Sequence, residues 1–97
     1  RNPTHVAIAL RYEPGLIPIP YVVCKGTDAV AARIIREAER HGIPTFEDVP
    51  LARGLLEACD VGEHVPSEYI EPVAKVIRWL YLNYPQRVFA PQTGGSR

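Results

Sequence analysis

The 97-residue sequence predicts an α/β fold, a small mixed four-stranded sheet covered by about three to four helices in a single compact domain. Three observations predict it. Short apolar runs at 4–10 and 21–25 are bounded by proline and glycine, as strands are. Two longer segments, 28–41 and 67–84, repeat apolar residues at three and four residue steps, as helices do. The order strand, strand, helix, strand, helix, helix then fits one core, for which the length suffices, and not two.

The first strand, residues 4–10, has Val6, Ile8 and Leu10 on one side and only alanines opposite, so both faces can be covered, as in an interior strand. Pro14-Gly15 is a type II turn pair. Ile17-Pro18-Ile19-Pro20 lacks the amide donors of a central strand and is expected to run extended along the surface. A second strand follows at 21–25 and is stopped by Gly26. Thr27 or Asp28 caps the next helix by accepting an early amide hydrogen. That helix turns Val30, Ile34, Ala38 and His41 inward and Arg33, Arg36, Glu37 and Arg40 outward, and Gly42 supplies its left-handed exit.

A third strand is expected at 45–49 and a short fourth at 62–65, with a helix from Pro50 through Cys59 between them, Leu51 and Leu55 facing in. Ser67 caps the last helix, whose seam is Ile70, Val73, Ile77, Leu80 and Tyr84. Pro72 either removes one backbone bond near the start of that helix or belongs to its first turn. Residues 1–85 thus make the domain, and 86–97, which have no periodicity, a flexible tail.

Lysine plus arginine equal aspartate plus glutamate at 11 each, with no basic stripe, which argues against nucleic acid as a partner. No apolar run approaches the ~20 residues of a membrane span, and no cationic segment followed by a hydrophobic one marks a signal peptide. The chain starts at Arg1 and not at methionine, which marks it as a piece of something longer. Cys24 and Cys59 lack redox or zinc spacing and read as two buried thiols in a reducing compartment. His41 and His64 have no ligand partner at metal spacing, and there is no phosphate loop or flanked serine nucleophile. No metal or cofactor is therefore expected. Trp79 reads as core or as a docking contact.

The chemistry lies in Asn2-Pro3-Thr4-His5, set directly before the first strand. In an ordinary Asn-Xaa pair the next backbone nitrogen attacks the side-chain amide, but proline's nitrogen has no hydrogen and cannot do so. The reverse attack stays open: the Asn2 side-chain nitrogen adds to the Asn2 carbonyl, closes a five-membered imide and expels Pro3 as a new amino terminus. Asn2 is then nucleophile and electrophile in one residue, and Pro3 is the leaving group. Thr4 fixes the turn through its hydroxyl, and His5 moves a proton or donates to the oxyanion. The same four residues also suit a plain turn before a strand.

Beyond this tetrapeptide the chain resembles, over nearly its full length, the cytoplasmic domain of the export-switch proteins of bacterial type III secretion, the FlhB/YscU family. The matching pieces are Asn2-Pro3-Thr4-His5 with Val-Ala-Ile-Ala after it, the Lys25-Gly26 junction to the helix, Gly42-Ile43-Pro44, Pro50-Leu51-Ala52-Arg53, and Ile-Arg-Trp-Leu at Ile77 to Leu80. The resemblance implies a multi-pass inner-membrane region upstream, with this domain on the cytoplasmic face of the bacterial inner membrane. It implies one intramolecular cut between Asn2 and Pro3, made without turnover in trans, after which the fragments stay associated and later export substrates are permitted. Implied partners are other export-apparatus proteins, a needle-length or hook-length control protein, exported substrates or their chaperones, and the chain's own N-terminal fragment. The proline-rich 17–20 loop and short tail are more similar to the injectisome branch than to the flagellar one. Arg53 can contact a partner or the turn, or simply lie on a solvated helix face. Two further readings fit the residues alone: an uncut protein-binding module with a structural Asn-Pro turn, and an enzyme acting in trans with His5 as base.

Overall fold

The computed structural model describes residues 3–85. Two antiparallel strands, β1 (Val6–Glu13) and β2 (Ile17–Thr27), precede three helices, α1 (Asp28–Arg40), α2 (Val49–Ala58) and α3 (Ser67–Asn83). Pro14-Gly15 does turn the hairpin. Gly15 takes φ 80°, and the Leu16 N–H donates to the Glu13 carbonyl at 3.0 Å, the geometry that a Pro-Gly pair favours.

The register runs from Glu13↔Ile17 to Val6↔Thr27 and shifts twice, between Ala9 and Leu10 and between Arg11 and Glu13. The second shift lies opposite Pro18 and Pro20, so the residues without an N–H fall where the ladder is already broken. The proline-rich stretch is extended, as its sequence implies, but it belongs to β2. Gly26 likewise continues the strand instead of stopping it. A Cβ at Gly26 would run into the Val30 side chain, so glycine is what lets α1 turn back tightly onto the hairpin.

Among the described residues the sheet has two strands and not four, and it is antiparallel and not mixed. The segment expected as a fourth strand contributes a single bridge, Tyr21↔His64. Three backbone bonds support it: Val22 N–H to Glu63 O, Gly62 N–H to Val22 O, and Val65 N–H to Pro20 O. Pairing covers β2 on both sides at this point, and too few residues align for a ladder to grow. The expected strand at 45–49 is absent because its end is used to start α2. Asp48 accepts the Leu51 N–H at 3.1 Å as N-cap, with Pro50 in the first turn. Phe46, which made the segment look strand-like, instead packs its ring edge-on to Trp79 at 5.0 Å.

In α1 the innermost residue is Ala31, with Ile34 and Ala38 partly covered, whereas Val30 and His41 are exposed. The exit matches expectation: Gly42 is at φ 68°, and the Ile43 N–H donates to the Ala38 carbonyl at 2.8 Å. The core is Val22, Leu55, Cys59, Val65 and Val73, with Ile8, Leu10, Leu51, Tyr69 and Ile77 packed against it. Tyr69 takes the place expected of Ile70, and Ile70 and Tyr84 lie at the exposed margin of the α3 seam. The helix starts at Ser67 with Pro66, not Ser67, as its cap residue. Pro72 therefore falls inside it and leaves one carbonyl of the first turn without its helical donor.

Both cysteines are free, but only Cys59 is buried; Cys24 is half-buried. Burial pushes the Cys59 thiol up, the Glu63 carboxylate adds to the effect, and its Sγ lies 3.4 Å from the carbonyls of Glu63 and His64. It stays protonated at neutral pH and acts as a small apolar side chain.

Gly54 lets α2 and α3 meet, because a Cβ there would lie against the Tyr69 hydroxyl and ring, 2.7 and 2.8 Å from Cε1 and Cζ. Gly54→Ala is expected to lower stability despite alanine's better helix propensity, since displacing a core tyrosine costs about 1 to 3 kcal/mol against a gain of about 1. Thermal melts check this. A higher melting temperature in the variant would show that Tyr69 moves aside freely.

Candidate functional site

Four elements converge just after the Asn2–Pro3 bond. Asn2 itself lies outside the described residues, as do 86–97, so the site is built from Pro3 onward. Pro3 is half-buried in a shallow groove lined by Thr27, Asp28, Leu56 and Glu57, at the mouth between the hairpin and α2. Thr4 and His5 are exposed and lead into β1.

Asp28 holds this segment. The Thr4 and His5 N–H groups both donate to its Oδ1 at 3.2 Å, and the Asp28 N–H donates to the His5 carbonyl at 2.9 Å. The sequence suggests Thr27 or Asp28 as a helix cap, but Thr27 makes no side-chain cap bond and the Asp28 carboxylate points back to the strand. Asp28 is also the one described non-glycine residue with positive φ, at 47°, a backbone state that costs most side chains on the order of 1 kcal/mol or more.

Arg53 holds the other side. Its guanidinium donates to the Pro3 carbonyl at 2.7 Å, so of the alternatives open for this residue the structure places it on the turn. It reaches because α2 is fixed at both ends, by the Asp48 cap and by Lys25. The Lys25 ammonium donates to the Leu56 and Cys59 carbonyls at 2.8 and 3.0 Å and lies 3.7 Å from Asp60. A cation at the end of a helix meets the negative end of its dipole and its unpaired carbonyls.

Of the four residues expected to carry chemistry, Pro3, Thr4 and His5 are thus contiguous, with their main chain pinned from two helices. It is the main-chain amides of Thr4 and His5 that reach Asp28. The His5 side chain is exposed on the loop. Sequence reasoning missed Asp28 and Lys25 as parts of the site, since Asp28 reads locally as a helix cap and Lys25 as the end of the second strand. No helix among the described residues is long and apolar enough to cross a membrane.

The hairpin and three helices are shared with solved C-terminal domains of PscU, EscU and SpaS. The model of the FlhB, HrpN, YscU and SpaS family matches residues 1–80, and the chain belongs to that family. Among solved structures, the PscU C-terminal domain superposes with a TM-score of 0.78 at 49% identity, covering 80% of this chain and 99% of that one. The secretion system apparatus protein SsaU of Salmonella typhimurium is 47% identical over 82% of this chain and 23% of its own length. The flagellar biosynthetic protein FlhB of Yersinia enterocolitica is 44% identical over 82% of this chain and 21% of its own. The chain thus spans about a fifth of the curated relatives it matches.

Proposed function

We propose that this chain is the cytoplasmic domain of a type III secretion export-gate component. It cuts itself between Asn2 and Pro3 by asparagine cyclisation, and the cut permits a change in the class of substrate exported. The observation that carries the reading is the triple hold on Pro3, Thr4 and His5 by Arg53 and Asp28, which fixes the chain on the leaving-group side of the bond.

In this reading the Asn2 side-chain nitrogen attacks the Asn2 carbonyl carbon. The bond to Pro3 breaks, and the proline nitrogen takes up the proton that the amide releases. Proline in position 3 bars the competing attack by a backbone amide and holds Asn2 toward extended angles. His5 carries the proton, and Thr4 fixes the turn. Because β1 follows the cut directly and is paired along its length to β2, the fragment starting at Pro3 keeps its place in the fold.

Membership of the family, and relatives several times longer, support a membrane region upstream and a position on the cytoplasmic face of the inner membrane. Residues 1–85 act as the unit and 86–97 as a tail, in keeping with a family match that ends at residue 80. The injectisome branch is consistent with identities of 49% to PscU and 47% to SsaU, while the Yop translocation protein U at 43% and the flagellar relative at 44% stand level. Partners are other export-apparatus proteins, a needle-length control protein, exported substrates or their chaperones, and the N-terminal fragment. The test is the denatured intact mass of the protein carrying its native upstream residues. Two fragments meeting at Asn2 and Pro3 are expected, and a single uncut species after days at physiological temperature would refute the reading.

A further inference from the structure

We infer that Asp28 and Arg53 are positioning residues for the break at Asn2–Pro3, a role that rests on the self-cleavage reading above. The reaction consumes no water and no co-reactant. One C–N bond forms within Asn2, one breaks to Pro3, and one proton passes from the amide nitrogen to the proline nitrogen. Nothing in that balance calls for a strong acid or base, so beyond the proton that His5 passes on, the protein's contribution is geometric, and the geometry has to be held from outside an exposed loop.

Asp28 and Arg53 hold it from two helices. Arg53 on α2 fixes the Pro3 carbonyl at 2.7 Å, and Asp28 at the head of α1 fixes the next two amides through a single oxygen, at 3.2 Å each. The Asp28 amide closes the arrangement on the His5 carbonyl at 2.9 Å. With residues 3–5 fixed, rotation about the scissile pair is left mainly to Asn2, whose range the following proline already narrows.

Two features separate this role from ordinary helix capping. The Asp28 carboxylate accepts from residues 23 and 24 positions away in sequence, while the cap residue Thr27 makes no side-chain bond to the helix. Asp28 also stands at φ 47°, where glycine, asparagine and aspartate are the usual occupants, and its carboxylate reaches the segment leading into β1. The fold therefore holds a left-handed backbone state at the residue whose carboxylate takes both the Thr4 and the His5 amides.

The test uses the chain with its native upstream residues, refolded from denaturant and sampled over time by denaturing intact mass. Asp28→Gly keeps the left-handed backbone and removes the acceptor, and it is expected to slow cleavage about tenfold or more. Asp28→Asn keeps both the acceptor oxygen and a tolerated positive φ, and should stay within about threefold of the wild type. Arg53→Met should slow cleavage and Arg53→Lys should recover part of the rate. Rates are taken well below the melting temperature of every variant, and amide exchange at Thr4 and His5 should speed up in Asp28→Gly. A residue that only stabilised the fold would move the melting temperature and leave the rate in folded protein alone. Cleavage in Asp28→Gly as fast as in the wild type overturns the inference. So does an Asp28→Asn variant as slow as Asp28→Gly. A wild type that never cuts defeats the cleavage reading itself, a different result from a wild type and an Asp28→Gly variant that cut equally fast.

Discussion

Asn2→Ala is expected to leave the chain whole under conditions in which the wild type, with its upstream residues, divides at Asn2–Pro3. The variant removes the only nucleophile the proposed reaction uses, and alanine offers no other group within one bond rotation of its own carbonyl. A cut completed in about an hour corresponds to a barrier of ~22 kcal/mol, and one that takes months to ~27 kcal/mol. Losing the fold's contribution therefore means roughly three to four powers of ten in rate, and losing the nucleophile means at least that. Orientation of the reacting atoms is large enough to supply the difference. The hydrogen bonds of Asp28 and Arg53 described above go to residues 3–5, so the variant should fold and melt as the wild type does. Denatured intact mass and a melting curve on the same sample check both halves. An Asn2→Ala protein that still divides after residue 2 would show that a water or a second side chain performs the attack.

The same site shows what could and could not be read from sequence. Asn2-Pro3-Thr4-His5 stands out because its reactivity is a property of the peptide bond itself, independent of the fold. The anchors were hidden because they depend on register. Counting outward from Glu13↔Ile17 with no irregularity would set Asn2 opposite Asp28, whereas the two shifts in β2 bring Asp28 to His5 and Thr4. Only the tertiary pairing reveals this. The helices were legible for the opposite reason, since Ala38, Val73 and Ile77 repeat within their own segments and turn inward as the repeat implies, Val73 buried and the other two half-buried. The third strand failed where two local signals overlapped. Thr45, Phe46 and Val49 favour a strand, but Asp48 and Pro50 favour a helix start, and the helix start is what forms. In hindsight Asp48 three residues before Leu51 was the stronger signal, because a cap bond needs no partner elsewhere in the chain.

Leu55→Ala is expected to be the most damaging single change to the fold. Leu55 is the largest of the fully enclosed side chains, 2% exposed, and joins α2 to Val22, Val65 and Val73. Truncating a buried leucine costs about 2 to 5 kcal/mol, set against ~4 to 12 kcal/mol for a domain of this size. A loss of about 3 kcal/mol lowers the melting temperature by on the order of 15 °C. Leu82→Ala, on the outer face of α3 and 82% exposed, is the control and should stay within about 0.5 kcal/mol of the wild type. The consequence extends to the site, because Leu55 lies two residues after Arg53 on the same helix. Once α2 loosens, the Pro3 carbonyl loses its donor before the hairpin, tied along β1 and β2, comes apart. Cleavage in Leu55→Ala should therefore slow at temperatures where circular dichroism still reports a folded domain, with amide exchange along α2 rising first. Equal melting temperatures for Leu55→Ala and Leu82→Ala would mean that the core is not centred where α2 meets β2. A cleavage rate that ignores the loosening of α2 would mean that Arg53 contributes nothing to the alignment of the bond.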